Sequence, residues 1–108
     1  MNWLKEMFGV EKPIIAMCHL QPLPGDPDYD KAGGMDKVLG HARKDLSALQ
    51  EGGVDGVMFS NEFSLPYLTK VETVTVASMA RVIGELMDEI KIPYGVNCIW
   101  DPIASLDL

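Results

Sequence analysis

Gly52-Gly53-Val54-Asp55-Gly56-Val57-Met58-Phe59-Ser60-Asn61-Glu62 is the stretch on which the fold turns. A glycine pair ends whatever helix precedes it, because glycine enters the left-handed conformation of a helix terminus without steric cost. Val54 to Phe59 then reads as a short strand with no sustained polar alternation. Such a strand is buried on both faces, the mark of a parallel sheet covered by helices. Ser60, Asn61 and Glu62 follow at its carboxyl end, which is where parallel α/β folds gather their functional groups.

The same device stands on either side. Lys12 to Cys18 is short and apolar with Pro13 near its start, where a missing N–H harms a ladder least, and Pro93 to Trp100 repeats it. Between the strands, Val38, Ala42, Leu46 and Leu49 fall at spacings of 4, 4 and 3 over Met35–Glu51. Val76, Met79, Ile83, Leu86 and Ile90 follow at 3, 4, 3 and 4 over Val74–Ile90. Each set marks one face of an amphipathic helix. Asp36 favours the positive end of the first helix. The loops from His19 to Gly34 and from Ser60 to Lys70 are long, and Pro22, Pro24 and Pro27 exclude regular helix in the first. Asp101-Pro102 breaks the third strand, and Ala104 to Leu108 begins another helix.

The order is strand, helix, strand, helix, strand behind a short N-terminal helix, and the first strand positions fall at 13, 54 and 93, a pitch of about 40 residues. Two closures fit. One is a small three-stranded doubly wound α/β domain. The other is a partial (β/α)8 TIM barrel, which would need five more units to reach a typical barrel length of about 250 residues. The final residues look like an interrupted helix, so residues 1–108 are read as a single α/β segment, the N-terminal three-eighths of such a barrel.

The 108 residues carry 9 Lys+Arg against 16 Asp+Glu, a formal charge of −7, and are 47% hydrophobic. That composition excludes disorder and disulfide miniproteins. An acidic balance without a basic cluster argues against nucleic acid and anionic membrane surfaces. The longest apolar run, Ile14–Cys18, is far short of the roughly 20 residues of a membrane span. The opening residues lack the apolar centre of a signal peptide, so a cytoplasmic protein with reduced, buried Cys18 and Cys98 is expected.

The first polar residues after each strand are the candidates for chemistry: His19, then Ser60, Asn61 and Glu62, then Asp101. Asn97 is an amide inside an apolar strand and needs a partner or a ligand. His19, Glu62 and Asp101 are assigned as catalytic acid–base groups; Ser60, Asn61 and Asn97 are assigned to substrate binding. Each has a plainer explanation: a histidine bonded to its loop, a solvated loop carboxylate. No ligand spacing supports a divalent metal among His19, Glu62 and Asp101, so no cofactor is expected. Asp26-Pro27-Asp28-Tyr29-Asp30 fails as a calcium loop, since Lys31 and Lys37 stand where glycine and glutamate are needed. No phosphate-binding glycine fingerprint occurs. His41 reads as a surface residue.

Taken together, Ile15-Ala16-Met17-Cys18-His19-Leu20, Pro22-Leu23-Pro24-Gly25-Asp26-Pro27, the run from Gly52 to Glu62 continuing to Tyr67, Pro93-Tyr94-Gly95-Val96-Asn97 and Trp100-Asp101-Pro102 resemble the BtpA family, SgcQ-like members in particular. The resemblance covers nearly the whole chain and implies a ribulose-phosphate-binding type barrel. One branch of that family is linked to photosystem I biogenesis and another to carbohydrate uptake genes. It places His19, Asn61, Glu62, Asn97 and Asp101 at the barrel mouth and implies a sugar or sugar-phosphate ligand for the parent. The fragment alone is expected to be weakly active or inactive. Members are about twice this length or more, and the phosphate-binding loops of such barrels follow the seventh and eighth strands, which this chain lacks. The non-catalytic alternative is an assembly factor. Open sheet edges further imply self-association.

Overall fold

The computed structural model describes residues 2–108. The elements are α1 (Trp3–Phe8), β1 (Ile15–His19), α2 (Gly34–Glu51), β2 (Gly56–Ser60), α3 (Thr73–Leu86) with a 3-10 turn at Met87–Glu89, β3 (Tyr94–Asn97) and α4 (Pro102–Asp107). β2 lies between β1 and β3, and both pairings are parallel.

The helices bury the faces that their spacing marks. Val38, Ala42 and Leu46 of α2 and Met79, Ile83 and Leu86 of α3 are buried against Cys18, Val57 and Phe59 of the sheet, while Leu49, Val76 and Ile90 pack at the margin. Phe59 is the largest fully buried side chain; burying a side chain of this size contributes about 1.5–3 kcal/mol. α2 ends at the glycine pair, with Gly53 at φ 84° supplying the left-handed step.

Several boundaries differ from the sequence reading, four of them for a hydrogen-bonding reason. β1 begins at Ile15, because the Ile14 N–H donates to the Asp55 carboxylate at 2.9 Å. α3 stops at Leu86 and tightens into the 3-10 turn, with the Ile90 N–H donating to the Met87 carbonyl at 3.3 Å. β3 stops at Asn97, because the next two N–H groups turn to side chains: Cys98 to Ser105 Oγ at 2.9 Å and Ile99 to Asn61 Oδ1 at 2.6 Å. α4 starts at Pro102, two residues before the expected Ala104, since Asp101 caps it.

The doubly wound alternative does not hold. That fold reverses strand order and carries helices on both faces, whereas here the order runs straight through, β1-β2-β3. Right-handed crossovers then put α2 and α3 on one face. They meet there: Arg43 Nε donates to the Glu89 carboxylate at 3.0 Å and Gln50 Nε2 to the Glu89 carbonyl at 2.9 Å. A parallel sheet with both crossover helices on one side is the architecture of a partial (β/α)8 barrel.

The opposite face would line the barrel interior. Register pairs Ile15 with Gly56, Met17 with Met58 and Gly95, and His19 with Ser60 and Asn97. Ile15 and Met17 are 48% and 41% exposed. At the amino ends of the strands α1 closes over this face. A Cβ on Gly56 would stand 2.8 Å from the Phe8 ring, so the close approach of Phe8 requires glycine there. No helix among the described residues is long and apolar enough to cross a membrane.

Candidate functional site

Because side chains alternate between sheet faces, residues aligned by register point the same way. His19, Ser60 and Asn97 are one such row across the carboxyl ends of β1, β2 and β3. Ser60 is fully buried and its Oγ has no hydrogen-bond partner. An unpaired buried hydroxyl costs about 1–3 kcal/mol, so a group that completes it would be held there. Asn97 is exposed at the edge strand, its amide free of any protein partner among the described residues. His19 is half-exposed, its ring edge-on to Phe63 at 6.2 Å between centroids. Glu62 lies two residues beyond the row. The Tyr67 hydroxyl, 2.6 Å from the Glu62 carbonyl, is held above its ordinary acidity range by desolvation first and the Glu62 charge second, so it stays a donor.

Asn61 and Asp101 are placed differently. The Asn61 amide reads the backbone of Ile99 from both sides, accepting from its N–H at 2.6 Å and donating to its carbonyl at 3.2 Å. A side chain thus continues the β2–β3 ladder after the strands part. Asp101 Oδ1 accepts from the Ala104 N–H and Oδ2 from the Val71 N–H, both at 3.0 Å. Both oxygens are committed to backbone, which shapes the loops rather than leaving a carboxylate free for proton transfer. Sequence spacing could have flagged this: Asp-Pro before a helical run is an N-cap signal.

These bonds hold the Asp101 carboxyl below its ordinary range, the Ala104 N–H contributing most and Val71 next. A depressed folded pKa means stability that is present above the unfolded value of 3.8 and lost as pH falls through the folded value. Asp101→Asn should therefore lower the urea midpoint at about pH 7, and the difference should shrink as pH falls below 3.8. Equal urea midpoints at neutral pH would contradict this role.

Asp26 ties the first two loops together, accepting from the Leu23 N–H at 2.7 Å and the Ser64 hydroxyl at 2.5 Å. Trp100 donates its backbone N–H to the Leu68 carbonyl at 3.0 Å and packs on Tyr67 at 5.0 Å. Neither contact was visible in the spacing of the polar residues. His41 lies at the surface with its side chain 40% exposed, Gln21 Nε2 3.4 Å from its Nε2 and Asp45 3.4 Å from its Nδ1. A cleft of about 630 Å³ beside Asp101, lined by Lys70, Val76, Ile103 and Asp107 among others, contains none of His19, Ser60, Asn61, Glu62 or Asn97. Among the described residues no group of three His, Cys, Asp or Glu side chains gathers to hold a metal ion. Cys18 and Cys98 are free and buried. Burial foremost, with Asp45 second, pushes the Cys18 thiol up to about 12, which removes it as a nucleophile.

The sequence has relatives among known proteins. The model described as the BtpA family matches residues 10–108. The chain belongs to the BtpA family. Among its BtpA relatives, the putative sgc region protein SgcQ of Escherichia coli strain K12 is 65% identical over 108 residues, all of this chain and 40% of that protein. An uncharacterized protein of Thermococcus kodakarensis is 41% identical over 98 residues, 90% of this chain and 37% of that protein. The photosystem I biogenesis protein BtpA of Synechocystis is 30% identical over 103 residues, 94% of this chain and 35% of that protein. The chain thus spans about two-fifths of the length of the curated relatives it matches. No solved structure matches it.

Proposed function

We propose that the row His19–Ser60–Asn97, with Glu62 beside it, is part of a site for a small polyhydroxylated metabolite, a sugar or sugar phosphate. In the complete barrel His19 and Glu62 move protons there. The observation that carries this reading is the row itself: three strands each deliver a hydrogen-bonding side chain to one level of one face, and the central hydroxyl, Ser60, is buried without a partner. Asn61 and Asp101 then act as positioning residues, fixing the backbone that follows β3. Imidazole and carboxylate flanking hydroxyl and amide groups suit proton abstraction next to a carbonyl, with the amide and hydroxyl orienting the substrate.

The test uses a chimera in which this chain replaces the 108 matching residues of the Escherichia coli relative. Ketoses, aldoses and their phosphates are incubated with it in deuterated water, and proton NMR follows the hydrogen on the carbon next to the carbonyl. Loss of that signal with at least one of them is expected. If every compound keeps its hydrogen and none is converted, the acid–base reading falls.

A second reading, a non-catalytic assembly factor, draws on the relative named for photosystem I biogenesis. The open edges of β1 and β3 and the half-exposed Ile15 and Met17 make self-association the expected behaviour of the isolated chain. Sedimentation velocity at micromolar concentration should show species heavier than 11.9 kDa. A single cooperative monomer would mean that the sheet is satisfied by its own loops.

A further inference from the structure

The mouth combines exposed aromatic faces with strand ends free of lysine and arginine. Residues 18–21, 60–68 and 97–101, the ends of the three strands and the first residues after them, contain neither, and Lys70, further along the second loop, lies beside Asp101. Two aromatic side chains rise from these turns. Phe63, three residues past β2, is 41% exposed beside His19. Trp100, three residues past β3, is 62% exposed.

Trp100 is exposed but not loose. Its backbone N–H donates to the Leu68 carbonyl at 3.0 Å, and its ring rests on Tyr67, whose hydroxyl donates to the Glu62 carbonyl. The preceding residue, Ile99, is gripped on both backbone atoms by Asn61. A large apolar ring presented to water in a fixed orientation is the form that aromatic binding platforms take, since little conformational freedom is lost when a ligand stacks on it.

We infer that Phe63 and Trp100 stack against the uncharged ring of a polyhydroxylated ligand, whose hydroxyls are met by Ser60, Glu62 and Asn97. This rests on the reading of the mouth as a ligand site and narrows it. The polarised C–H bonds of a sugar ring suit the electron-rich face of an indole. The hydroxyls suit neutral and acidic partners, which offer both acceptors and donors. A phosphate at the same place would face the Glu62 carboxylate with no lysine or arginine at the strand ends to offset it. An anionic group on the ligand therefore lies away from Glu62.

The chain holds two tryptophans, and Trp3 lies on α1, 59% exposed, so Trp3→Phe leaves Trp100 as the sole indole without disturbing the core. Trp100 fluorescence in that variant is followed during titration with glucose, galactose, fructose, their 6-phosphates and inorganic phosphate, with circular dichroism recording the fold. The expected result is a saturable spectral shift with at least one neutral sugar, no shift with inorganic phosphate, and at least tenfold weaker binding in Phe63→Ala. A shift with inorganic phosphate, or with the esters alone, overturns the inference and makes the mouth an anion site. No shift with any compound overturns it too. If the chimera still exchanges substrate hydrogen in that case, the acid–base reading stands without the platform. If exchange fails while Trp100 responds, the platform stands without the chemistry.

Discussion

Asn61→Ala lowers the stability of the chain by about 2–4 kcal/mol, because it strands both polar backbone groups of Ile99 in a buried place. Asn61 is 1% exposed and makes two hydrogen bonds to that one residue, at 2.6 and 3.2 Å. Ile99 is itself only 6% exposed, and each buried unsatisfied group costs about 1–3 kcal/mol. Against a total of about 5–15 kcal/mol for an ordinary domain, such a loss is large. Chemical denaturation measures it, with Asn97→Ala as the control, since that amide is exposed and holds no backbone. A change below about 0.5 kcal/mol for Asn61→Ala, the range of ordinary surface substitutions, would show that the ladder extension carries no weight.

In the chimera, His19→Asn and Glu62→Gln each lower the rate of hydrogen exchange by about 10²–10⁴-fold, the usual contribution of a positioned acid or base. Both replacements keep hydrogen-bonding capacity and nearly keep volume, so the loss reports proton transfer rather than packing. Neither side chain is buried, and the fold should survive both changes. If the two work on one proton path, the double variant loses about as much as the worse single variant, since groups acting as a unit are not additive. Rates within twofold of the unsubstituted chimera for both variants would move the chemistry to residues outside this segment.

The parallel sheet, the succession of its elements along the chain and the buried faces of both long helices were legible because they follow from period and punctuation: apolar runs too short for helices, a glycine pair at 52–53, stripes at 3.6-residue spacing. The strand-end residues were legible for the same reason, since topology fixes where a parallel strand delivers its next polar group. What that group does there was not legible. Asn61, Asp101 and Asp26 bond to backbone or side chains 38, 30 and 38 residues away, in other loops. Such partners are set by how irregular segments lie across one another, which carries no period. The early end of β3 has the same origin, because Ser105 and Asn61 divert N–H groups that a strand reading assigns to a ladder. The aromatic pair escaped notice because attention to titratable groups passes over Phe63 and Trp100.

The single register level shared by His19, Ser60 and Asn97 also sets how this segment tolerates change over evolutionary time. Adding or deleting one residue inside Gly56–Ser60 would turn Phe59 toward the open face and Ser60 toward the helices, losing core and site in one step. The same length change in the turns around Pro27 and Asp28, which are exposed, leaves every strand pairing as it was. Length variation among descendants of this sequence is therefore confined to the loops, and the mouth inherits its geometry from the packing beneath it.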